Sequence, residues 1–328
     1  MILPELQVLT PETSSDAVRM MADHPGAGLL AGGTDLLVLL KQRVIQHRVL
    51  IDLGRLPELK RIDLQKGQLH IGAGVTLAAI GKDGLISRSF PALAEAARSV
   101  GSPNLRNMAT LGGNLLLAPR CLYYNQSRFW RQSLGSCLKT GGSECFAVPG
   151  SHRCFACFSA DCPPALIALE ATVTVLCRRQ GTVEERSIPV ADLYRDDGQS
   201  PLTIDGGSLL TAVHLPLCET VRSAYRKYRR RSSIDFPLSG VAVAFDMVRG
   251  KFRGMRIVLN ALASSPVLAE EAMQQLEGMP YGDRIMADAV TGLTKRIHPV
   301  RNQEGSPEHR RRMAGILFRR AVEELMTA

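Results

Sequence analysis

The chain has 328 residues, of which 45% are apolar but only 5% aromatic, so two or three compact units with mainly aliphatic cores are expected. No stretch reaches the roughly 18 uncharged apolar residues of a membrane-spanning helix, and the N-terminal sequence lacks the pattern of a secretory signal, so we expect no membrane span and a cytoplasmic location. The formal charge is +9, and arginine residues cluster at 226–231, 310–312 and 319–320. Few aromatic residues lie near these clusters, which argues against a nucleic-acid site. A solvated face or a docking surface for an acidic protein is favoured instead.

The first 55 residues predict a small βαβ-like unit. Thr10 and Pro11 have the pattern of a helix N-cap followed by proline in the first turn, so a helix is expected from there to about Asp23. An apolar strand then leads into a Gly-rich turn at 31–35, and another strand follows at 48–53. We treat this unit as the first subdomain, residues 1–55, of a domain that spans residues 1–220.

Residues 56–220 predict the second subdomain of the same domain. It begins with a hairpin that turns at Lys66-Gly67, followed by a helix at 91–100 and a second Gly-rich turn at 110–114. A Pro-Pro pair at 163 opens a further helix, and two strands joined by a turn at Gln180-Gly181 follow it.

The pattern changes near residue 220. Long alternating strands are predicted at 239–248 and 252–262, and three helices close the chain. Ser265-Pro266 and Ser306-Pro307 predict the starts of two of these helices, because serine caps a helix and proline is accepted in its first turn. We therefore place a second domain at 221–328. The predicted fold class is α+β with mixed sheets rather than a doubly wound sheet.

Two Gly-rich turns are candidates for binding an anion. They are Ala31-Gly32-Gly33-Thr34-Asp35 and Thr110-Leu111-Gly112-Gly113-Asn114. Paired glycines let the backbone approach a ligand closely and direct N–H groups at it, although each turn taken singly is more often an ordinary tight turn. Neither matches GxGxxG or GxxxxGK[ST], which argues against a Rossmann NAD site or a nucleoside triphosphatase.

Two further motifs follow these turns: Ser159-Ala160-Asp161 before a Pro-Ala-Leu helix, and then Lys227, Arg231 and Asp235. In this order the four motifs resemble those of the FAD-binding medium subunit of the molybdenum hydroxylases, the xanthine dehydrogenase and carbon monoxide dehydrogenase family. The resemblance covers nearly the whole chain. It implies a vanillyl-alcohol-oxidase (PCMH) type FAD-binding domain of two subdomains, followed by a C-terminal α+β domain of the CO dehydrogenase flavoprotein type.

The same resemblance implies a set of FAD-binding residues. The two turns would hold the pyrophosphate, Asp161 would accept hydrogen bonds from sugar or ribityl hydroxyls, and Lys227 would lie near the isoalloxazine. The full set is Ala31, Gly32, Gly33, Thr34, Asp35, Leu36, Val100, Gly101, Thr110, Gly112, Gly113, Asn114, Asp161, Leu210 and Lys227.

The segment 119–154 shows neither a helical nor a strand period, yet it contains four cysteines and the only tryptophan. In most of the family the TLGGN turn and the Ser-x-Asp stretch are a few residues apart; here Ser159 lies 45 positions after Asn114. An insertion of about 40 residues, which we place at 118–158, is usually functional or disordered, and its aromatic residues argue against disorder. Between its cysteines lie 15, 7 and 8 residues. From this spacing alone an iron–sulfur cluster, a zinc site and unliganded thiols all remain open.

The insertion also resembles a loop found in the β subunits of 4-hydroxybenzoyl-CoA reductase and close relatives. The matching segments are Pro119-Arg120-Cys121, Asn125-Gln126-Ser127, Trp130-Arg131, Cys137-Leu138-Lys139, Cys145 and Arg153-Cys154. This resemblance implies a 4Fe–4S cluster beside the FAD, held by Cys121, Cys137, Cys145 and Cys154. Cys157 is the alternative to Cys154, whereas Cys162, Cys177 and Cys218 are expected to be core or incidental thiols.

The function implied by the resemblance is electron transfer, without a catalytic residue on this chain. A ferredoxin-like donor would supply electrons through the cluster and FAD to a small 2Fe–2S subunit and a large molybdopterin subunit, in a dimer of heterotrimers that converts 4-hydroxybenzoyl-CoA to benzoyl-CoA. Two alternatives remain open. One is the FAD subunit of a hydroxylase that oxidises a purine, an N-heterocycle or an aldehyde; the other is a zinc-stabilised nucleotide-binding protein with no enzymatic role.

Overall fold

The computed structural model describes residues 2–327, in which helices pack around three β-sheets; Met1 and Ala328, the outer limits of the predicted domains, lie outside them. The strands are β1 Gln7–Leu9, β2 Gly28–Leu30, β3 Val49–Asp52, β4 Ile62–Gln65, β5 Gln68–Gly72, β6 Thr172–Arg179, β7 Thr182–Pro189, β8 Leu209–Pro216, β9 Arg222–Tyr228, β10 Ser239–Val248, β11 Lys251–Asn260 and β12 Val267–Leu268. The helices are α1 Ser14–Asp23, α2 Leu36–Lys41, α3 Leu77–Lys82, α4 Gly84–Ser89, α5 Pro91–Ser99, α6 Pro103–Arg106, α7 Leu111–Leu115, α8 Arg128–Leu134, α9 Cys162–Ala168, α10 Glu270–Leu276, α11 Asp283–Lys295 and α12 Pro307–Thr327.

The first sheet is a parallel three-stranded sheet in the order β1-β3-β2, with α1 and α2 in the connections. Helix α1 begins later than the sequence predicts, with Thr13 rather than Thr10 as its N-cap. The Thr13 hydroxyl accepts a hydrogen bond from the Asp16 N–H at 3.1 Å, and the Asp16 carboxylate accepts one from the Thr13 N–H at 3.1 Å. This reciprocal capping box satisfies two N–H groups that the predicted start would have left without partners.

The second sheet has five antiparallel strands in the order β4-β5-β8-β6-β7. Its two predicted hairpins turn at Lys66-Gly67 and Gln180-Gly181, and all four residues have positive φ. Two-residue loops with this backbone match the right-handed twist of the strands that they join. The main core lies between this sheet and a layer formed by α3, α5, α7 and α9.

The third sheet is antiparallel, in the order β12-β11-β10-β9, and it is buried on both faces. One face, with Val241 and Val243, packs against α10–α12, and the other, with Ala242 and Ala244, packs into the main core. No sheet of the described chain combines parallel and antiparallel strands, so the prediction of mixed sheets is wrong. Parallel pairing occurs in the first sheet, where helices supply the crossover connections that parallel strands need.

Of the two predicted Ser-Pro helix starts, one is correct. Ser306 caps α12, and its hydroxyl accepts a hydrogen bond from the His309 N–H at 3.2 Å. Ser265-Pro266 instead leads into β12, which pairs with β11, and α10 begins only at Glu270. In the part of the chain from 2 to 327, no helix combines the length and the apolar character needed to cross a membrane.

Candidate functional site

The first Gly-rich turn lies against the residues that directly precede the second, although the two turns are about 80 positions apart in the sequence. A Cβ added to Gly32 would lie 1.9 Å from the Met108 carbonyl oxygen, two residues before Thr110. Gly112 is equally confined, because its N–H donates to the Ala73 carbonyl at 2.8 Å and an added Cβ would lie 2.8 Å from the Ala73 methyl group. The structure therefore packs the first turn against the chain just before the second turn, and no side chain larger than hydrogen fits at Gly32.

The second turn is the N-terminus of a short helix rather than a loop. Thr110 is the N-cap of α7, and its hydroxyl accepts a hydrogen bond from the Gly113 N–H at 3.2 Å. The Asn114 side chain accepts one from the Cys162 N–H at 3.0 Å, which ties this turn to the start of α9. The first turn has Gly33 at φ +68° and leads through Thr34 and Asp35 into α2, which begins at Leu36.

Asp161 and Lys227 form a buried ion pair that joins the FAD-type domain predicted from the sequence to the third sheet. The Lys227 ammonium lies 2.8 Å from Asp161 Oδ2, and each side chain is only 4% exposed. The Tyr225 hydroxyl donates to Asp161 Oδ1 at 2.6 Å, and Lys227 also donates to the Ser99 carbonyl at 3.1 Å. Burial raises the pKa of Tyr225 well above its ordinary value, and the Asp161 carboxylate raises it further, so this phenol remains a donor.

The turn at 99–101 is held against the connection between β9 and β10. The Gly101 carbonyl accepts a hydrogen bond from the Ile234 N–H at 2.9 Å, and Gly101 has φ +49°. Val100 packs at the edge of the main core. Leu210 lies on β8 inside that core and is 3% exposed. Arg231 and Asp235 pair with each other on the exposed part of the connection, separate from the buried Lys227.

A cavity of about 600 Å³ lies between this connection and the start of the cysteine-containing insertion. Arg120 forms one wall: it donates to Asp35 Oδ1 at 3.0 Å, and its guanidinium carbon lies 4.4 Å from the centroid of the Phe236 ring. Burial raises the pKa of Asp35, and Arg120 opposes that rise. Arg120 thus contacts the first Gly-rich turn while it precedes Cys121 in the chain. In the sequence, Arg120 is notable only as part of the Pro119-Arg120-Cys121 segment, and its contact with Asp35 is not visible there.

The insertion contains one short helix that the sequence pattern did not predict. Ser127 caps α8, and its hydroxyl accepts a hydrogen bond from the Trp130 N–H at 3.2 Å. The two ends of the insertion are joined by a β-bridge, in which Arg120 and Cys157 exchange backbone hydrogen bonds of 2.8 and 2.7 Å. The insertion is therefore a closed loop anchored at its base.

The four predicted ligand cysteines lie in one neighbourhood within this loop. Burial raises the pKa of Cys121 to about 11, and the nearby Cys154 and Cys145 raise it further. Cys137 acts electrostatically, together with Cys121 and Cys154, on Lys139. Among residues 2–327, no three Cys, His, Asp or Glu side chains are close enough to hold one metal ion. A cubane cluster needs a wider set, because each thiolate binds a different iron.

Cys157 is engaged elsewhere. It is fully buried, and its sulfur accepts hydrogen bonds from Gln303 Nε2 at 2.8 Å and Arg310 Nη2 at 3.5 Å. Burial raises the pKa of this thiol to about 11, and Arg310 opposes the rise. The interaction with residues near the C-terminus favours Cys154 over Cys157 as the fourth member of the cysteine group.

Comparisons with known proteins cover the whole of this architecture. Two family models match: the FAD binding domain in molybdopterin dehydrogenase over residues 4–218 and the CO dehydrogenase flavoprotein C-terminal domain over residues 223–325. The aldehyde oxidoreductase FAD-binding subunit PaoB of Escherichia coli K12 is 34% identical over 273 residues, which cover 80% of this chain and 83% of PaoB. The xanthine dehydrogenase FAD-binding subunit of Escherichia coli O157:H7 is 26% identical over 96% of this chain and 94% of its own.

A similar fold occurs in a solved structure. A chain of the carbon monoxide dehydrogenase of Hydrogenophaga pseudoflava superposes with a TM-score of 0.80 and 23% identity, covering 100% of this chain and 99% of its own. Together with the two family models, this similarity confirms the predicted architecture of an FAD-binding domain followed by a flavoprotein C-terminal domain.

Proposed function

The chain is an FAD-binding medium subunit of the molybdenum hydroxylase family, and from this premise we propose that it also holds a 4Fe–4S cluster and transfers electrons between an external donor and its partner subunits. The observation that supports the cluster is that Cys121 lies near Cys145 and Cys154, while Cys121, Cys137 and Cys154 lie near the partly buried Lys139. When bound, FAD supplies one- and two-electron chemistry and the cluster supplies one-electron chemistry. The role of this chain is to hold both groups and to exclude water from them.

The residues proposed to hold the FAD pyrophosphate are those of the two joined turns. Gly32 and Gly112 let these turns pack closely on the Met108 carbonyl and on Ala73. The N–H groups of Gly112 and Gly113 are held by Ala73 and Thr110, so the part proposed for the turns is to shape the surface on which the pyrophosphate lies. Asp161 and Lys227 are buried and paired with each other. Their proposed part is therefore to fix the third sheet against the turn at 99–101, which contains the proposed FAD-binding residues Val100 and Gly101.

The four cysteines fit a cluster in three respects. Iron–sulfur clusters use cysteine sulfur as their ligand, and these four cysteines are all free of disulfide bonds. The loop that carries them is closed at its base by the Arg120–Cys157 bridge, so its ends are fixed without a regular core. Arg120 also contacts Asp35 in the first Gly-rich turn, which places the cysteine loop beside the proposed FAD surface.

The proposed partners are a small 2Fe–2S subunit and a large molybdopterin subunit, assembled as a dimer of heterotrimers, with a ferredoxin-like protein as the external donor. The domain limits near residue 220 and a cytoplasmic location belong to the same proposal. It is supported by the relatives, whose names describe FAD-binding subunits or medium chains of dehydrogenases and oxidoreductases.

For the reaction of the complex, we propose reductive dehydroxylation of 4-hydroxybenzoyl-CoA, in which the ring hydroxyl leaves as water with the uptake of two electrons and two protons. The cysteine insertion supports this choice. The second candidate, oxidation of a purine, an N-heterocycle or an aldehyde, is supported by relatives named for xanthine and aldehyde oxidation. Both candidates give this chain the same part, since the substrate binds to another subunit.

Assays of the complete complex separate the two candidates. The complex is purified with its partner subunits and given 4-hydroxybenzoyl-CoA with a chemically reduced ferredoxin, and in parallel xanthine or an aromatic aldehyde with an artificial acceptor. Formation of benzoyl-CoA supports the reductase, whereas oxidation of xanthine or the aldehyde without benzoyl-CoA formation supports the hydroxylase. A flavin-free preparation with neither activity would contradict both.

A further inference from the structure

A groove of about 650 Å³ lies between α11 and α12 in the C-terminal domain. The two helices come close where Gly315 faces Val290, because an added Cβ at Gly315 would lie 2.9 Å from Val290 Cγ1. Ile316, next to Gly315, lines the groove and is 37% exposed. Ala314 and Phe318 are fully buried in the core between α12 and the third sheet. The helices therefore bury one side against the sheet and leave an apolar strip uncovered in the groove.

The arginine residues at 310–312 and 319–320 differ in their positions in the fold. Arg310 is fully buried and donates to three backbone carbonyls, so it belongs to the core of the domain. Arg311, Arg312 and Arg319 line the groove. Arg319 is paired with two carboxylates of α11 and α12, whereas none of the ion pairs within residues 2–327 includes Arg311 or Arg312. Two cations at the groove are therefore free to bind an added carboxylate.

Positive charge is concentrated in the domain that carries this groove. Residues 221–328 contain 19 lysine and arginine residues against 11 aspartate and glutamate residues, whereas residues 1–220 contain 21 against 20. The groove itself is lined by three arginines and His309 against one carboxylate, that of Glu308. Such an uneven distribution of charge attracts an acidic partner to one face of the protein.

The composition of the groove favours a transient protein partner over a permanent subunit. Permanent subunit interfaces are large and have an apolar centre. Here the exposed apolar side chain of Ile316 is surrounded by charged groups. Charged groups around a small apolar contact act mainly on the rate of association and on specificity. The groove therefore suits a protein that presents carboxylates around one apolar side chain and that binds and leaves.

The start of α12 connects this groove to the cysteine-containing insertion. Arg310, in the first turn of the helix, donates to Cys157 Sγ at 3.5 Å. Asn302, just before the helix, accepts a hydrogen bond from the Leu122 N–H at 3.0 Å, and its side chain donates to the Phe155 carbonyl. A protein that docks at the groove would therefore contact a helix that is bonded directly to the base of the insertion.

We propose that the groove between α11 and α12 is the docking site of the external electron carrier, a protein with an acidic face. Its carboxylates contact Arg311 and Arg312, and one of its apolar side chains lies against Ile316. This inference rests on the proposed function, because it requires an external carrier protein. It gives these residues a part in binding the carrier only and depends on no metal ligand.

The test measures the binding of an acidic ferredoxin to the complete complex by surface plasmon resonance at several salt concentrations, with heparin as a polyanion that has no protein surface. Three variants change the groove: Arg311→Glu with Arg312→Glu, Arg311→Lys with Arg312→Lys, and Ile316→Ser. The matched control is Arg179→Glu with Arg186→Glu, which changes the net charge equally at exposed positions on β6 and β7. Melting temperature and subunit composition are checked first for every variant.

For the glutamate pair at 311 and 312 we expect ferredoxin to bind at least about tenfold more weakly at low salt, mainly through slower association, and to lose most of its salt dependence. The lysine pair is expected to keep most of the binding, because the charge is retained. Ile316→Ser should mainly speed dissociation, by about threefold or more, because an apolar contact is lost. The control pair at 179 and 186 should bind ferredoxin like the wild type.

Four results would overturn the inference. They are unchanged ferredoxin binding in the glutamate pair, equal weakening in the control pair, loss of a partner subunit from the complex of the glutamate pair, and heparin binding that is as tight as ferredoxin binding and equally sensitive to the glutamate pair. The third would make the groove a permanent subunit interface, and the fourth a general polyanion site. Failure of the proposed function itself would look different, because the wild-type complex would then bind no carrier protein before any substitution is made.

Discussion

Two partly or fully buried lysines of this chain have opposite environments. Lys227 is paired with Asp161 at 2.8 Å, donates also to Ser99, and is neutralised entirely by the protein. Lys139 has one carbonyl acceptor, an aromatic ring and sulfur atoms around it. The charge of Lys227 is balanced by a carboxylate of the protein, whereas none of the ion pairs within residues 2–327 includes Lys139.

The two lysines also lie in different parts of the fold. At Lys227 the charges belong to the interface between the third sheet and α5 and α9, where a direct pair fixes one arrangement of the domains. At Lys139 the charge lies in an insertion whose own packing is slight, so an added group can contribute to its stability.

The largest expected effect distinguishes Cys154 from Cys157. Cys154→Ser is expected to remove the cluster and its four irons while leaving most of the FAD, because thiolate ligation is lost at one corner. Cys157→Ser is expected to keep its iron, since the Cys157 sulfur is hydrogen-bonded to Gln303 and Arg310. Iron and flavin analyses of both variants test this expectation. If Cys154→Ser kept its iron and Cys157→Ser lost it, Cys157 rather than Cys154 would be the fourth ligand.

Breaking the Asp161–Lys227 pair is expected to have the next largest effect. Asp161→Asn leaves the Lys227 charge buried without its partner, so the free energy of unfolding should decrease by about 3–5 kcal/mol. The double variant Asp161→Asn, Lys227→Met should lose less than the sum of the single variants. Urea unfolding measures both quantities. A loss below about 1 kcal/mol for Asp161→Asn would mean that this pair behaves like a solvated surface pair.

A smaller effect is expected where the two Gly-rich turns meet. Gly32→Ala forces the backbone near Met108 to move, so we expect a loss of about 1–3 kcal/mol in stability together with weaker FAD binding. Gly206→Ala is the control, because an added Cβ there meets no atom within 4 Å. Thermal unfolding and FAD titration of both variants provide the test, and equal behaviour of the two would remove Gly32 from the proposed FAD surface.

The smallest effect concerns His214, a partly buried base whose pKa is lowered in the folded chain. Burial lowers the pKa of His214, and the nearby His70 lowers it further. Because the unfolded chain binds this proton more readily, the stability contribution is complete above about pH 6.5 and is lost as the pH falls toward the lower folded value. His214→Gln should reduce the decrease in melting temperature between pH 7.5 and 5.5, whereas His298→Gln, at an exposed position, should not.

Local features of the fold were predictable where the signal lies within a few residues. The turns at Lys66-Gly67 and Gln180-Gly181 were predicted because positive φ strongly selects such pairs. The Ser265-Pro266 pattern predicted a helix start where the structure has strand β12. The pairing of β12 with β11 depends on a distant partner strand, which a local pattern does not contain. The start of α1 was misplaced because two threonines compete, and only Thr13 has an acidic residue three positions later.

The candidate site was predictable as a set of residues but not as an arrangement. The glycines and cysteines carry recognisable patterns, whereas the contact between Asp161 and Lys227 joins positions 66 residues apart. The hydrogen bond from Lys139 to the Pro119 carbonyl likewise joins positions 20 residues apart. No local pattern encodes these long-range contacts, so they became visible only in the folded chain.

The central claim is that the cysteine loop holds a 4Fe–4S cluster beside FAD, and metal and flavin analysis of the purified complex tests it most directly. After correction for the partner subunits, the account predicts four irons, four labile sulfides and one FAD for each copy of this chain. It also predicts a brown iron–sulfur absorption that dithionite bleaches. Zinc in place of iron, or FAD without any sulfide assigned to this subunit, would contradict the claim.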